Sequence, residues 1–89
     1  MISDKDKIKL IELAKKYNVS KIYLFGSHLN SKNEPNDIDL AVEGIADSEY
    51  FKFYGELIFN LSKPVDLIDL KKESLFNKTV ISEGYLLYG

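Results

Sequence analysis

The stretch from Leu24 to Val42, "LFGSHLNSKNEPNDIDLAV", decides how the chain is read. An apolar run breaks at Gly26-Ser27, a polar loop containing Pro35 follows, and Asp37 and Asp39 then stand inside a second apolar run. Residues two apart in a strand point to one face, about 6–7 Å apart along the chain. Asp37 and Asp39 therefore project together, while Ile38, Leu40 and Val42 turn the other way, towards a core. A strand with one dry face and one acidic face has a side free for chemistry.

Working outward, "KIYLFGS" reads as a short strand that stops at glycine. The segment before it, "SDKDKIKLIELAKKYNV", reads as a helix capped by Ser3 with Asp6 three residues on, and Leu10, Leu13, Ala14 and Tyr17 share one of its faces. Beyond the second strand, "DSEYFKFYGELIFNLSK" predicts a helix capped at Asp47 or Ser48. Its stripe is Tyr50, Tyr54, Leu57, Ile58 and Leu61, widened by Phe51 and Phe53. Pro64 ends that helix and opens "PVDLIDL", a third strand. The remainder, "KKESLFNKTVISEGYLLYG", predicts a short helix stopped at Gly84 and a last strand, Tyr85 to Tyr88.

The order α-β-β-α-β-α-β predicts an α/β (α+β) fold: a small mixed β-sheet with helices mainly on one face, in a single domain over residues 1–89. The connection leading to "PVDLIDL" is long enough for a parallel, right-handed crossover. If the first two strands are antiparallel, Gly26-Ser27 lies next to Asp37, and the crossover brings Asp66 to the same end of the sheet. Three carboxylates, Asp37, Asp39 and Asp66, then converge, while Asp69 falls on the other face with Val65 and Leu67.

Carboxylates that close repel one another, and a divalent cation between them relieves the repulsion. All-oxygen ligation favours Mg²⁺ or Mn²⁺. Two such ions about 3.5–4 Å apart form the clamp used for in-line displacement at phosphorus. Gly26 lets the backbone turn sharply and come close to a ligand, and Ser27 adds a hydroxyl beside exposed N–H groups, the cradle that a polyphosphate needs. A D-x-D or a Gly-Ser alone is common in turns. The ordered combination, with a third acid opening a strand after a helix, points to a metal–nucleotide site.

Composition narrows the alternatives. The apolar share of 45% and charged share of 29% are those of an ordinary globular protein. No run approaches the ~18 apolar residues of a membrane helix, and "MISDKDK" lacks the apolar segment of a signal peptide. With no cysteine, disulfides and thiolate metal sites are excluded. The expected setting is the cytoplasm. A net charge of −2, spread along the chain, argues against general nucleic-acid binding. All 12 basic residues are lysines, so phosphate contacts fall to lysine, backbone N–H groups or a metal ion. Lys21 and Lys32 are weak candidates for that task, and His28 reads as an exposed loop residue. Phe59 falls opposite the stripe of its helix, on the side of Lys52, Glu56 and Lys63, and is a candidate contact for a second copy or a partner.

"LFGS…NDIDLAV…PVDLID" resembles the minimal nucleotidyltransferases (MNT) of the DNA polymerase β superfamily, with their G-S, D-x-D and third-carboxylate pattern. The likeness spans nearly the whole chain, including the ending "VISEGYLLYG". It implies that Gly26 and Ser27 hold the triphosphate of ATP, that Asp37 and Asp39 bind both Mg²⁺ ions, and that Asp66 completes the site and helps to activate the attacking hydroxyl. It further implies an antitoxin, paired with a HEPN-domain toxin, that transfers AMP from ATP to a tyrosine of that toxin with release of pyrophosphate. The chain departs from the family pattern after Ser27, where "HLNSKNEPN" replaces the usual arginine and second glycine, and the spacing to Asp37 is about one residue shorter than usual. The alternative is a binding module of the same fold that neutralises its partner by covering it, with little or no turnover.

Overall fold

The computed structural model describes residues 2–26 and 37–89. Helix α1 (Asp4–Lys16) leads into strand β1 (Lys21–Phe25). Strand β2 (Ile38–Glu43), helix α2 (Asp47–Asn60), strand β3 (Val65–Asp69), helix α3 (Leu75–Glu83) and strand β4 (Tyr85–Tyr88) follow. The four strands form one mixed sheet in the order β3-β2-β1-β4. β1 runs antiparallel to both β2 and β4, and β2 runs parallel to β3. The predicted mixed α/β architecture is the observed one. Of the three helices among the described residues, two share a face.

The α1/α2 face holds most of the apolar mass. Ile22, Leu24, Ile38, Leu40, Val42, Val65 and Leu67 pack beneath Leu10, Leu13 and Ala14 of α1 and Phe53 and Leu57 of α2. Each such side chain contributes about 1.5–3 kcal/mol by leaving water, so this layer supplies most of the stability. The opposite face carries a smaller cluster, Tyr23, Ala41 and Leu70 under Val80 of α3, flanked by Phe25 and Ile68.

Helix α1 begins as predicted: the Ser3 hydroxyl accepts the Asp6 N–H at 3.2 Å. Asp6 itself is almost fully buried. Its carboxylate accepts the Ser62 backbone N–H at 3.1 Å and the Ser62 hydroxyl, tying α1 to the chain just past α2. Helix α2 differs from expectation at both ends. Ala46 occupies the cap with no side-chain bond, and the helix closes at Asn60, with Leu61 as its C-terminal cap, before Pro64 is reached.

The buried line of α2 is also rotated from the expected stripe. Phe53 and Leu57 take its centre, whereas Phe51 (80% exposed) and Ile58 (57%) face outward. Polarity explains the rotation. Tyr50 and Tyr54 sit at the margin because their hydroxyls need acceptors, and they donate to Leu67 O (2.7 Å) and Val65 O (3.1 Å) of β3. Phe53 has no such need and goes inside, against the Tyr17 ring at 5.5 Å. Burial, then the charges of Tyr54, Asp69 and Asp66, hold the Tyr50 phenol above its ordinary range, which keeps it a donor.

Helix α3 stops at Gly84 as predicted, for a different reason. Gly84 has φ −72°, which any residue adopts. What demands glycine is space, because a Cβ there would meet Val80 O at 2.5 Å and Leu24 O at 3.3 Å.

Candidate functional site

The register of the sheet places the acids. Asp39 is the cross-strand partner of Phe25 in β1 and of Asp66 in β3. Partners in register point to the same side, so Asp39 and Asp66 stand next to each other on the α3 face, one strand spacing of about 4.8 Å apart. Asp37 lies just before β2, two residues from Asp39 and exposed. Alternation puts Asp37 on the same side at the mouth of the sheet. Asp69 pairs with Val42 on the other side, as expected, and its Oδ1 accepts the Lys71 N–H at 2.9 Å.

Why the chain folds this way locally follows from its alternation. β2 must bury Ile38, Leu40 and Val42 together, which fixes its register and turns the aspartates outward. β3 repeats the device with Val65 and Leu67 inside and Asp66 exposed. Since β2 and β3 are parallel, both offer their N-terminal ends to the same edge of the sheet. β1 arrives from the opposite direction and ends there.

Gly26 follows β1 at that end, with φ +76°. A Cβ on Gly26 would overlap Asp39 Oδ2. Two independent constraints therefore require glycine: left-handed backbone, and a carboxylate oxygen lying against the Cα. The turn backbone therefore lies directly beside the Asp39 carboxylate.

Of the residues singled out in the sequence, Asp39, Asp66 and Gly26 are brought together, with Asp37 one step outward. Ser27, His28 and Lys32 lie outside the described residues. Lys21 starts β1, at the far end of the strand from Gly26, so it is not placed to meet a phosphate there. Among the described residues, no group of three or more acidic or histidine side chains is gathered closely enough to enclose a metal ion. The donor chemistry nonetheless suits a hard dication: among the described residues the donors at this end of the sheet are carboxylate oxygens on adjacent strands.

Sequence reasoning missed Phe76. At the start of α3, its ring stands edge-on to Phe25 with centroids 6.0 Å apart. Through Phe25, the register partner of Asp39, it borders the acidic patch. The apolar "SLF" after a run of charged residues was the available signal, but only the docking of α3 on the acidic side gives it meaning.

No helix among the described residues is long and apolar enough to cross a membrane. No curated protein matches the chain in sequence. Solved structures do. A toxin–antitoxin complex with AMP-PNP superposes with a TM-score of 0.74 at 30% identity, covering 98% of this chain and 74% of the other. The MntA–HepT toxin–antitoxin complex gives 0.72 at 27%, covering 98% and 73%. A tri-AMPylated Shewanella oneidensis HEPN toxin in complex with its MNT antitoxin gives 0.71 at 29%, covering 94% and 70%. The sequence profile described as "Polymerase beta, Nucleotidyltransferase" matches residues 8–89. With a match over nearly its whole length, this chain belongs to the polymerase β-type nucleotidyltransferase family.

Proposed function

We propose that the chain is an ATP- and Mg²⁺-dependent protein adenylyltransferase that serves as the antitoxin of a HEPN-domain toxin in the cytoplasm. The observation that carries this reading is the side-by-side placement of Asp39 and Asp66 in parallel strands with Gly26 against Asp39. The structural relatives support it, since they include a complex with AMP-PNP and an AMPylated HEPN toxin bound to an MNT antitoxin.

In this reading Asp37, Asp39 and Asp66 hold two Mg²⁺ ions, which supply positive charge to the transferring phosphoryl group. Gly26 and Ser27 present backbone N–H groups and a hydroxyl to the triphosphate and orient its departing end. A tyrosine hydroxyl of the toxin attacks the α-phosphorus of ATP. The Asp66 carboxylate takes up the hydroxyl proton, the oxygen–phosphorus bond forms, the bond from the α-phosphorus to the bridging oxygen breaks, and pyrophosphate leaves with that oxygen. The product is an AMP ester on the toxin.

A second reading is favoured by one observation, the lack of a gathered three-acid group among the described residues. Here the fold covers the toxin without turnover. One experiment separates the two: incubation with α-labelled ATP, Mg²⁺ and the cognate HEPN toxin. Label on a toxin tyrosine, lost with Asp39→Asn, supports transfer. A tight complex that never acquires label overturns it in favour of the binding module.

A further inference from the structure

The outward line of α2 has a feature that nucleotidyl transfer does not use. Phe51, Gly55 and Phe59 recur every four residues along it, with Ile58 beside them. Phe59 is 87% exposed and Phe51 80%, against 57% for Ile58, and nothing lies within 4 Å of a Cβ placed on Gly55. Three large apolar side chains around an open glycine on one helix face cost solvation in a monomer. They also carry a symmetry: Phe51 and Phe59 stand about 6 Å before and after Gly55 along the helix axis.

We infer that this face pairs with a second copy of the chain, α2 crossing α2 antiparallel, with the two-fold axis at Gly55. Glycine at the crossing lets the backbones approach. The same operation carries Phe51 of each copy to the height of the other's Phe59, on the side of its Ile58, so the rings fill the Phe59–Ile58 notch. Lys52 of each copy comes within a lysine's reach of the other's Glu56, a carboxylate that already accepts from Lys16 at 2.9 Å and from the Tyr17 hydroxyl of its own chain, so the contact adds a second cation to an existing pair at the rim.

The area agrees with a reversible dimer. An aromatic side chain buries about 150–250 Å². Four phenylalanines at these exposures, with two Ile58 side chains and the Lys52 stems, remove roughly 800–1,000 Å² from water. That falls short of the ~1,200 Å² at which standard specific interfaces begin and belongs to the weak, transient class, so association is expected only at micromolar concentrations or above. The acidic patch lies beyond the sheet on its other face, which leaves both sites accessible in the pair.

The test uses the full chain without toxin or nucleotide. Sedimentation equilibrium from 1 to roughly 200 μM is expected to show a monomer–dimer transition. Phe59→Asp should weaken association at least about tenfold, and the equally exposed Leu75→Asp, on the other side of the sheet, should leave it unchanged. Because the chain has no cysteine, Gly55→Cys should give a disulfide-linked dimer on mild oxidation, and Leu75→Cys should not. A wild-type chain that stays monomeric across that range overturns the proposal, as does a dimer indifferent to Phe59→Asp. Loss of toxin binding by Phe59→Asp with a monomeric wild type would assign the face to the toxin instead, and equally overturns it.

Discussion

The two faces of the sheet are built from the same four strands and do opposite work. Beneath α1 and α2 the strands offer Ile22, Leu24, Ile38, Leu40, Val42, Val65 and Leu67 to a continuous core. On the α3 side the same strands offer Tyr23, Ala41 and Val80's small cluster at one end and Asp39 and Asp66 at the other. One residue of shift separates stabilising from acidic positions. The lesson is that the acids are tolerated because their neighbours in sequence hold the strands so firmly from behind.

Substitutions that strike one face and spare the other sharpen this comparison, and any that strike both break it. The largest expected effect is on the acidic side. Asp39→Asn should lower adenylyl transfer by on the order of 10³-fold or more, with the thermal midpoint moved little, as read by a transfer assay beside a melting curve. Substantial transfer by this variant would break the assignment of the face. Leu40→Ala should do the reverse: about 2–5 kcal/mol of stability lost from the fully buried position, seen in denaturant unfolding. Whatever chain remains folded should keep the acids aligned.

Gly26→Ala tests whether the junction belongs to both. Left-handed backbone and overlap with Asp39 Oδ2 predict a loss of roughly 1–3 kcal/mol together with a displaced carboxylate. The measurement is the thermal midpoint and transfer on the same preparation. Asp6→Ala should cost about 1–3 kcal/mol, because the Ser62 N–H and hydroxyl lose their acceptor. It belongs wholly to the helical side and should leave nucleotide chemistry untouched.

The smallest effect is a pH dependence. The hydrogen bond to Glu56, followed by burial, raises the Tyr17 phenol from its ordinary 10.0 to about 12. A raised acid favours the protonated form in the folded state. Its contribution is therefore complete below pH 10.0 and is lost as the pH climbs towards about 12. Glu56 is lowered, first by the Tyr17 hydrogen bond and then by Lys16, so its share is present above the ordinary carboxylate range and is lost as the pH falls through its depressed value. Tyr17→Phe should flatten the alkaline limb of a stability–pH curve relative to wild type.

The sheet was legible in the sequence because its signals are local. Alternation in "NDIDLAV" and "PVDLID" told which side each aspartate would face, and the crossover length allowed the parallel pairing; the antiparallel pairing of β1 with β2 was a condition of the reading that the register meets. The rotation of α2 was not legible. Hydropathy ranks Tyr50, Tyr54 and Ile58 with Phe53, and only the outward carbonyls of β3 explain why the tyrosines take the margin and Ile58 is left in water. Asp6 was read only as part of the cap that Ser3 opens. Its position four residues before Leu10 on the buried line was a visible sign that its carboxylate needed a partner inside.

The bonds from Tyr50 and Tyr54 to β3 reach further than α2 itself. Val65 and Leu67 direct their carbonyls away from β2, at the rim of the sheet. Left bare, that rim would template an intruding strand from a misfolded neighbour. Two phenol hydroxyls already engage two of its carbonyls, which disfavours cross-β growth on that flank and leaves the short β4, at the opposite border of the described sheet, as the more open place for such recruitment.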